Sequence, residues 1–202
     1  MGVVDVSLRL TNGTVEKFNK PLRARPMTRG CESGAASPWV RRHAGLVPPG
    51  GKVLDLAAGN GRHSIYFNNL RFSVTALDRD TSGLADLGTR GVEVIAADLE
   101  DGSPWPLGGR TFDGIIVTNF LYRPLFPHLA AALATGGILI YETFGRGNER
   151  FGKPSNPDFL LRPGELLEFA ATQGLQVLAY ECGEVSEPKP AIVQRMAAQR
   201  LT

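Results

Sequence analysis

The sequence predicts an α/β fold, an open doubly wound sheet whose strands alternate with helices and whose last strand runs antiparallel. Three observations carry this. Short apolar runs at 53–56, 72–77, 92–97, 112–118 and 138–144 are each of strand length and are separated by helical or turn-rich stretches. The first run opens directly into a turn bearing Gly59 and Gly61 and then into a helical pattern, the corner at which such sheets bind ligands. Finally, only residues 186–190 separate the run 175–185 from 191–198, which is too short for a parallel crossover, so those two strands pair antiparallel.

Residues 1–36 read as an arm and 37–202 as one domain. In the arm, Val4, Val6, Leu8 and Leu10 alternate with polar residues and Asn12-Gly13 is a turn pair, a pattern that permits a hairpin back through Val15 and Phe18. The rest of the arm has no apolar period and is expected to be mobile. Ser37 offers an N-cap oxygen ahead of Pro38 at the first helical position, so a short helix runs to about Leu46. A second helix spans Gly61 to about Leu70, the second strand ends at Asp78, and a short helix near 81–89 leads to a third strand ending at Asp98-Leu99. Residues 100–110, with Pro104, Trp105 and Pro106, form a loop past the ligand edge. The fourth strand ends at Asn119, a helix follows from about Pro124, and Gly136-Gly137 closes it before a fifth strand at 138–144. Residues 145–162 predict a long polar loop without an element of its own, which by its length is a lid candidate. Pro163 then opens a helix to about Gln173.

At 202 residues the chain suits a single core, and its net charge of +2 is unevenly spread. Residues 1–42 hold eight Lys or Arg against Asp5, Glu16 and Glu32, a net +5 that leaves −3 for the remainder. These charges are scattered, which favours a solvated arm over a nucleic-acid contact. No run approaches the roughly 20 apolar residues of a membrane span, and the first residues lack the basic and apolar regions of a signal peptide, so a cytoplasmic protein is expected. The two cysteines, Cys31 and Cys182, have no metal-ligand spacing and are expected to be reduced thiols; no metal is expected.

The motif itself is VLDLAAGNGRHS, residues 53–64. Gly59 and Gly61 allow a sharp turn and a close backbone approach, and the helix opened by Arg62 points free N–H groups at the same place. Asp55 chooses among ligands. A carboxylate there would repel a dinucleotide pyrophosphate, whereas S-adenosylmethionine carries an ammonium and a sulfonium that it attracts. Ser64 also stands where a dinucleotide fingerprint has its third glycine. Asp78, 23 residues after Asp55, sits where such sheets hold two ribose hydroxyls. Asp98 can accept from an adenine amino group while Leu99 packs on the ring, and Asn119 lies at the crevice.

Together, DLAAGNG and the strand–helix alternation resemble the class I S-adenosylmethionine-dependent methyltransferases over about residues 37–200, with one departure: Ala57 stands for the first glycine of that family's Asp-x-Gly-x-Gly-x-Gly turn. An alanine adds one methyl group, and the turn is expected to survive it. DLAAGNGRHSIYF with NFLYRPL is similar, more narrowly, to small bacterial methyltransferases related to the tellurite-resistance protein. The resemblance implies a Rossmann-like sheet of order 3-2-1-4-5-7-6. It places Asp55 by the methionine amino group, Ala57, Gly59 and Gly61 at the cofactor turn, Asp78 on the ribose, Asp98 and Leu99 on the adenine, and Asn119 beneath the methionine. NFLY stands where enzymes methylating base amino groups carry Asn-Pro-Pro and an aromatic, which argues against that acceptor.

A sulfonium methyl is already activated, so the protein has to align an acceptor, exclude water and stabilise developing charge. A thiolate or other chalcogen anion needs no general base; an alcohol or ammonium does. Tyr122, His63 and His128 are the base candidates, with a structural or surface role the simpler account of both histidines. Arg123, Arg150 and Arg162 flank the expected mouth, and Arg150 in the lid candidate is singled out for pairing with an anionic acceptor. The expected function is methyl transfer to a small-molecule acceptor, anionic or a thiol or chalcogen. The alternatives are an RNA or protein methyltransferase using the arm, a non-catalytic cofactor-binding module, and a dehydrogenase.

Overall fold

The computed structural model describes residues 34–187 and 189–202. The expectations for the arm up to Ser33, including its hairpin, its mobility and Cys31, lie outside the described residues.

The described chain starts as its capping residues dictate. The Ser37 hydroxyl accepts from the Trp39 N–H, Pro38 occupies the first turn, and α1 spans Pro38–His43 before tightening into a 3-10 turn, Ala44–Leu46. Then follow β1 (Lys52–Leu56), α2 (Arg62–Asn69), β2 (Ser73–Asp78), a 3-10 segment (Ser82–Arg90), β3 (Glu93–Ala96) and β4 (Phe112–Thr118). After β4 come a 3-10 turn (Arg123–Leu125), α3 (Phe126–Ala131), β5 (Leu133–Phe144), α4 (Glu165–Thr172), β6 (Leu175–Val185) and β7 (Ala191–Arg200). The sheet order is β3-β2-β1-β4-β5-β7-β6, with β7 antiparallel to both neighbours.

Strand period divides the core into two layers. Leu54, Leu56, Ile115, Val117, Leu139 and Tyr141 face α3 and α4, while Val53, Ile116, Ile138 and Ile140 face α1 and α2. On the α1/α2 face the apolar rows give way toward the carboxyl ends of the strands to Asp55, Thr118 and Glu142, all buried. No helix among the described residues is long and apolar enough to cross a membrane.

Three elements depart from the sequence expectation. The helix after β4 is shorter, and β5 starts at Leu133 instead of at residue 138, so Gly136-Gly137 lies inside the strand. There the register with β4 shifts, and a Cβ on Gly137 would come 2.9 Å from the Phe112 carbonyl oxygen; the glycine pair makes a bulge, not a helix stop. The helix near 81–89 is a 3-10 segment, consistent with its buried apolar residues Leu84 and Leu87 standing three apart. Residues 145–162 are not structureless: they contain 3-10 turns at Asn148–Arg150 and Pro157–Phe159 and a parallel bridge between Gly145 and Leu161.

Candidate functional site

A cavity of about 240 Å³ opens at the carboxyl ends of β1 to β4, lined by Ala57, Asp78, Arg79, Ala97, Asp98, Leu99, Glu100 and Phe120. The turn after β1 forms one wall. Ala57, Gly59 and Gly61 all have left-handed backbone, with φ of 53°, 55° and 71°. A Cβ on Gly59 would meet no protein atom within 4 Å, so the backbone there stands bare and its N–H donates to Asp78 Oδ2 at 2.7 Å. Asp78 Oδ1 accepts from the Asp80 N–H at 3.0 Å, which fixes the carboxylate at the cavity edge. Asp98 is held similarly by the Glu100 N–H at 2.9 Å, beside half-buried Leu99. Three carboxylates face Arg79 in this lining, which disfavours a phosphate-bearing ligand and suits one that presents hydroxyls, an amine and a cation.

Gly61 is also required by packing. A Cβ there would come 2.5 Å from Leu87 Cδ1 and 2.9 Å from Leu84 Cδ2, so this glycine admits the 3-10 segment against the start of α2.

Asp55, which the resemblance puts by the methionine amino group, is engaged within the protein. It is 1% exposed, and its Oδ2 accepts from the N–H and the hydroxyl of Ser64 at 2.8 and 2.6 Å, so it caps the amino end of α2 from below. Burial, partly offset by the Ser64 hydrogen bonds and by Arg62, pushes its carboxyl up to about 7. His63, also 1% exposed, has Nδ1 3.9 Å from Asp55 Oδ1 and 3.5 Å from Thr118 Oγ1. Burial, with a smaller repulsion from Arg62, holds its imidazole down to about 3.

At the tip of β4, Asn119 is exposed with φ of 55°, and its N–H donates to the Glu142 carbonyl on β5 at 2.9 Å. Phe120 enters the cavity, and its carbonyl accepts from the buried Tyr141 hydroxyl at 2.9 Å. Tyr122 is half-buried against the α3/α4 core and does not line the cavity. Neither arginine singled out for the acceptor lines it. Arg123 binds Glu165 through Nε and Nη2 at 2.6 and 3.1 Å and donates to the Asp158 and Leu160 carbonyls. Arg150 pairs with Glu184 on β6 and lies over the Phe151 ring, on the far side of the sheet order from β1–β3.

The lid expected at 145–162 is tied down on the β7 side. The buried Asn148 side chain donates to the Pro154 carbonyl and accepts from the Ile192 N–H, and Leu160 and Leu161 are buried. The sequence reading missed Arg79, Ala97, Glu100 and Phe120 in the cavity. Each adjoins a residue it did name, and the signal available was that neighbours of a strand tip share the crevice.

A family model, Tellurite resistance protein TehB, matches residues 36–98, from the last residues before α1 to the Asp98 wall. The Protein-L-isoaspartate O-methyltransferase 2 of Rhodopseudomonas palustris is 36% identical over 112 residues, 52% of this chain and 49% of its own. The chain thus spans about half the length of that curated relative. Among solved structures, TehB from Haemophilus influenzae superposes with a TM-score of 0.62 at 20% identity, covering 80% of this chain and 61% of that one. An S-adenosylmethionine-dependent methyltransferase from Methanosarcina mazei gives 0.63 at 15% identity, covering 83% and 99%. The 1,6-didemethyltoxoflavin-N1-methyltransferase from Burkholderia thailandensis, solved with S-adenosylhomocysteine, gives a TM-score of 0.60 at 21% identity, covering 79% and 75%. The chain has the class I S-adenosylmethionine-dependent methyltransferase fold and resembles the tellurite-resistance protein TehB over the segment that carries Ala57, Asp78, Arg79, Ala97 and Asp98 of the cavity.

Proposed function

We propose that this protein transfers a methyl group from S-adenosylmethionine to a small-molecule acceptor. The observation that carries the reading is the cavity itself: Asp78, held by the Gly59 N–H, and Asp98, held by the Glu100 N–H, stand fixed at its edge in a lining of net negative charge. Asp78 would hold the ribose hydroxyls, Asp98 and Leu99 the adenine, and Phe120 would cover the face toward β4. The bound cofactor supplies a methyl group already activated by its sulfonium. What remains for the chain is to orient an acceptor above Asn119 and keep water out.

The choice of acceptor turns on whether a general base is at hand, and His63 does not supply one. His63 Nε2 accepts from the Ser37 N–H at 3.2 Å, so this buried imidazole is not placed to take a proton from an acceptor. An acceptor that arrives as a thiolate or another chalcogen anion needs no base, and the cofactor's sulfonium rather than an arginine would balance its charge. With Arg123 and Arg150 engaged by Glu165 and Glu184, neither carries recognition of a negative charge.

Calorimetry should find binding of S-adenosylmethionine and S-adenosylhomocysteine, weakened roughly ten- to a hundred-fold by Asp78→Ala, the cost of charge-assisted hydrogen bonds worth about 1.5–3 kcal/mol. A turnover screen with methyl-labelled cofactor against thiols, selenite, tellurite, phenols, carboxylates, an isoaspartyl peptide and total RNA then identifies the acceptor. Binding of a nicotinamide nucleotide in place of S-adenosylhomocysteine overturns the cofactor, and methylation of RNA or peptide alone overturns the acceptor class.

A further inference from the structure

Beneath the crevice lies a polar row that the cavity residues do not explain. Thr118, Glu142, Arg195 and Glu181 are register partners across β4, β5, β7 and β6. Arg195 Nε approaches Glu142 Oε2 at 3.2 Å, and its Nη1 approaches Glu181 Oε2 at 3.3 Å. Charges alternate along the row, so the buried Glu142 and the half-buried Glu181 both face Arg195.

The start of the described chain is fastened to this row and to α2. The Ser37 hydroxyl donates to Glu142 Oε2 at 2.8 Å, and the Ser37 N–H donates to His63 Nε2 at 3.2 Å. Arg42 pairs with Glu181 at 2.8 Å. A Cβ on Gly34 would touch the Arg62 side chain at 3.4 Å, so the backbone at Gly34 crosses the first residue of α2. These contacts place residues 34–37 beside the β1–α2 turn, on the opposite side from Asp78 and Asp98.

We propose that His63 and Glu142 are positioning residues that dock residues 34–37 as the wall of the crevice on the methionine side of the cofactor, an inference that rests on the methyltransferase reading above. The donor direction fixes the histidine's state. Because Nε2 accepts, the ring proton is on Nδ1, toward Thr118 Oγ1 and Asp55 Oδ1, and a doubly protonated ring would set N–H against N–H at Ser37. Glutamine at position 63 offers a carbonyl oxygen to the Ser37 N–H, whereas phenylalanine fills the space and offers nothing.

The test uses the full chain. Hydrogen exchange is followed at residues 34–42 without ligand, and S-adenosylhomocysteine affinity is measured by calorimetry, for wild type, Ser37→Ala, His63→Phe and His63→Gln. Ser37→Ala, which removes the hydroxyl's bonds to Glu142 and the Trp39 N–H, and His63→Phe, which removes the acceptor of the Ser37 N–H, should each speed exchange at 34–42 by at least about tenfold while β1 and β4 stay protected, and should weaken binding by about tenfold. His63→Gln should recover both to within about threefold. Unchanged exchange in His63→Phe, or faster exchange with unchanged affinity, overturns the wall. So does loss of protection spread over β1 and β4, which would make these residues core supports. Wild type that binds no S-adenosylhomocysteine removes the cofactor reading and the wall with it, and is recognised separately because the exchange measurement needs no ligand.

Discussion

Asp55 and His63 sit buried 3.9 Å apart with opposite displacements of their proton affinity, and this sets a specific pH dependence. Asp55, raised from 3.8 to about 7, keeps a proton that the unfolded chain has released. Its contribution to stability is therefore full below the unfolded value and is lost as pH rises through about 7. His63, lowered from 6.5 to about 3, refuses a proton that the unfolded chain takes up, so its contribution is full above 6.5 and is lost as pH falls toward 3. Between about pH 4 and 6.5 the two slopes oppose each other. Urea unfolding across that window should show stability rising with pH relative to wild type in Asp55→Asn, and falling with pH relative to wild type in His63→Gln. Wild-type slopes in both variants would mean that neither group titrates this way. Ala57 shows what a residue pattern can and cannot tell. The sequence marks it as a departure from glycine and lets the turn survive, and the turn does survive, but only the backbone shows that the methyl is carried at φ 53°. Left-handed backbone costs a non-glycine residue about 1–2 kcal/mol, so Ala57→Gly should raise stability by about 1 kcal/mol in the same measurement, and a lower stability would refute the strain.

At the scale of elements, strands were legible where burial on both faces makes them short continuous apolar runs, as at β4; the bounds of β6, a half-buried edge strand, also agree with the sequence reading because the short connection to β7 delimits it. Caps were legible where one residue makes its own contact, as Ser37 does. The start of β5 was not, because Gly136-Gly137 reads as a helix stop until the Phe112 carbonyl is seen to occupy the space a Cβ would need. Arg123 was misplaced for a related reason: its partners are remote in sequence. It reaches 42 residues to Glu165 at the amino end of α4 and joins the turn after β4 to the 3-10 turn at Pro157–Phe159. Burial alone would raise the Glu165 carboxyl, yet the Arg123 pair and the Arg162 N–H bring it below its ordinary value. Arg123→Ala should therefore destabilise by about 1–2 kcal/mol, the Arg123 side chain being too exposed for a fully buried pair's effect. Affinity for S-adenosylhomocysteine and KM for the acceptor should stay near wild type. A raised KM without loss of stability would return Arg123 to the acceptor site.

For the whole molecule, the question is which segment closes the crevice. Residues 145–162 were the candidate by length, but Asn148 and the Gly145 N–H, which donates to the Ile192 carbonyl at 2.9 Å, hold them against β7, and Gln194 adds a 2.6 Å hydrogen bond to the Arg162 carbonyl. Loop length and polarity do not reveal such anchors, since the partners lie on strands some 30 to 45 residues away. The amino-terminal turn is the better candidate, and truncation separates its parts. A chain beginning at Met27 keeps residues 34–42 whole, so it should fold and bind S-adenosylhomocysteine like the full chain. A chain beginning at Arg41 loses the Ser37 contacts and also Trp39 and Val40, which are 2% and 0% exposed. An aromatic of that size buries about 150–250 Å², worth roughly 4–6 kcal/mol at 25 cal/mol per Å², which approaches the whole stability of a domain of this kind. The shorter chain should therefore lose its cooperative thermal transition or have it shifted down by more than about 10 °C. If the Met27 chain is folded but loses affinity, residues before Met27 cover the cofactor and the domain does not begin where its core does. If the Arg41 chain melts and binds as the full chain does, the turn at 34–42 is an appendage and the crevice is closed by something else.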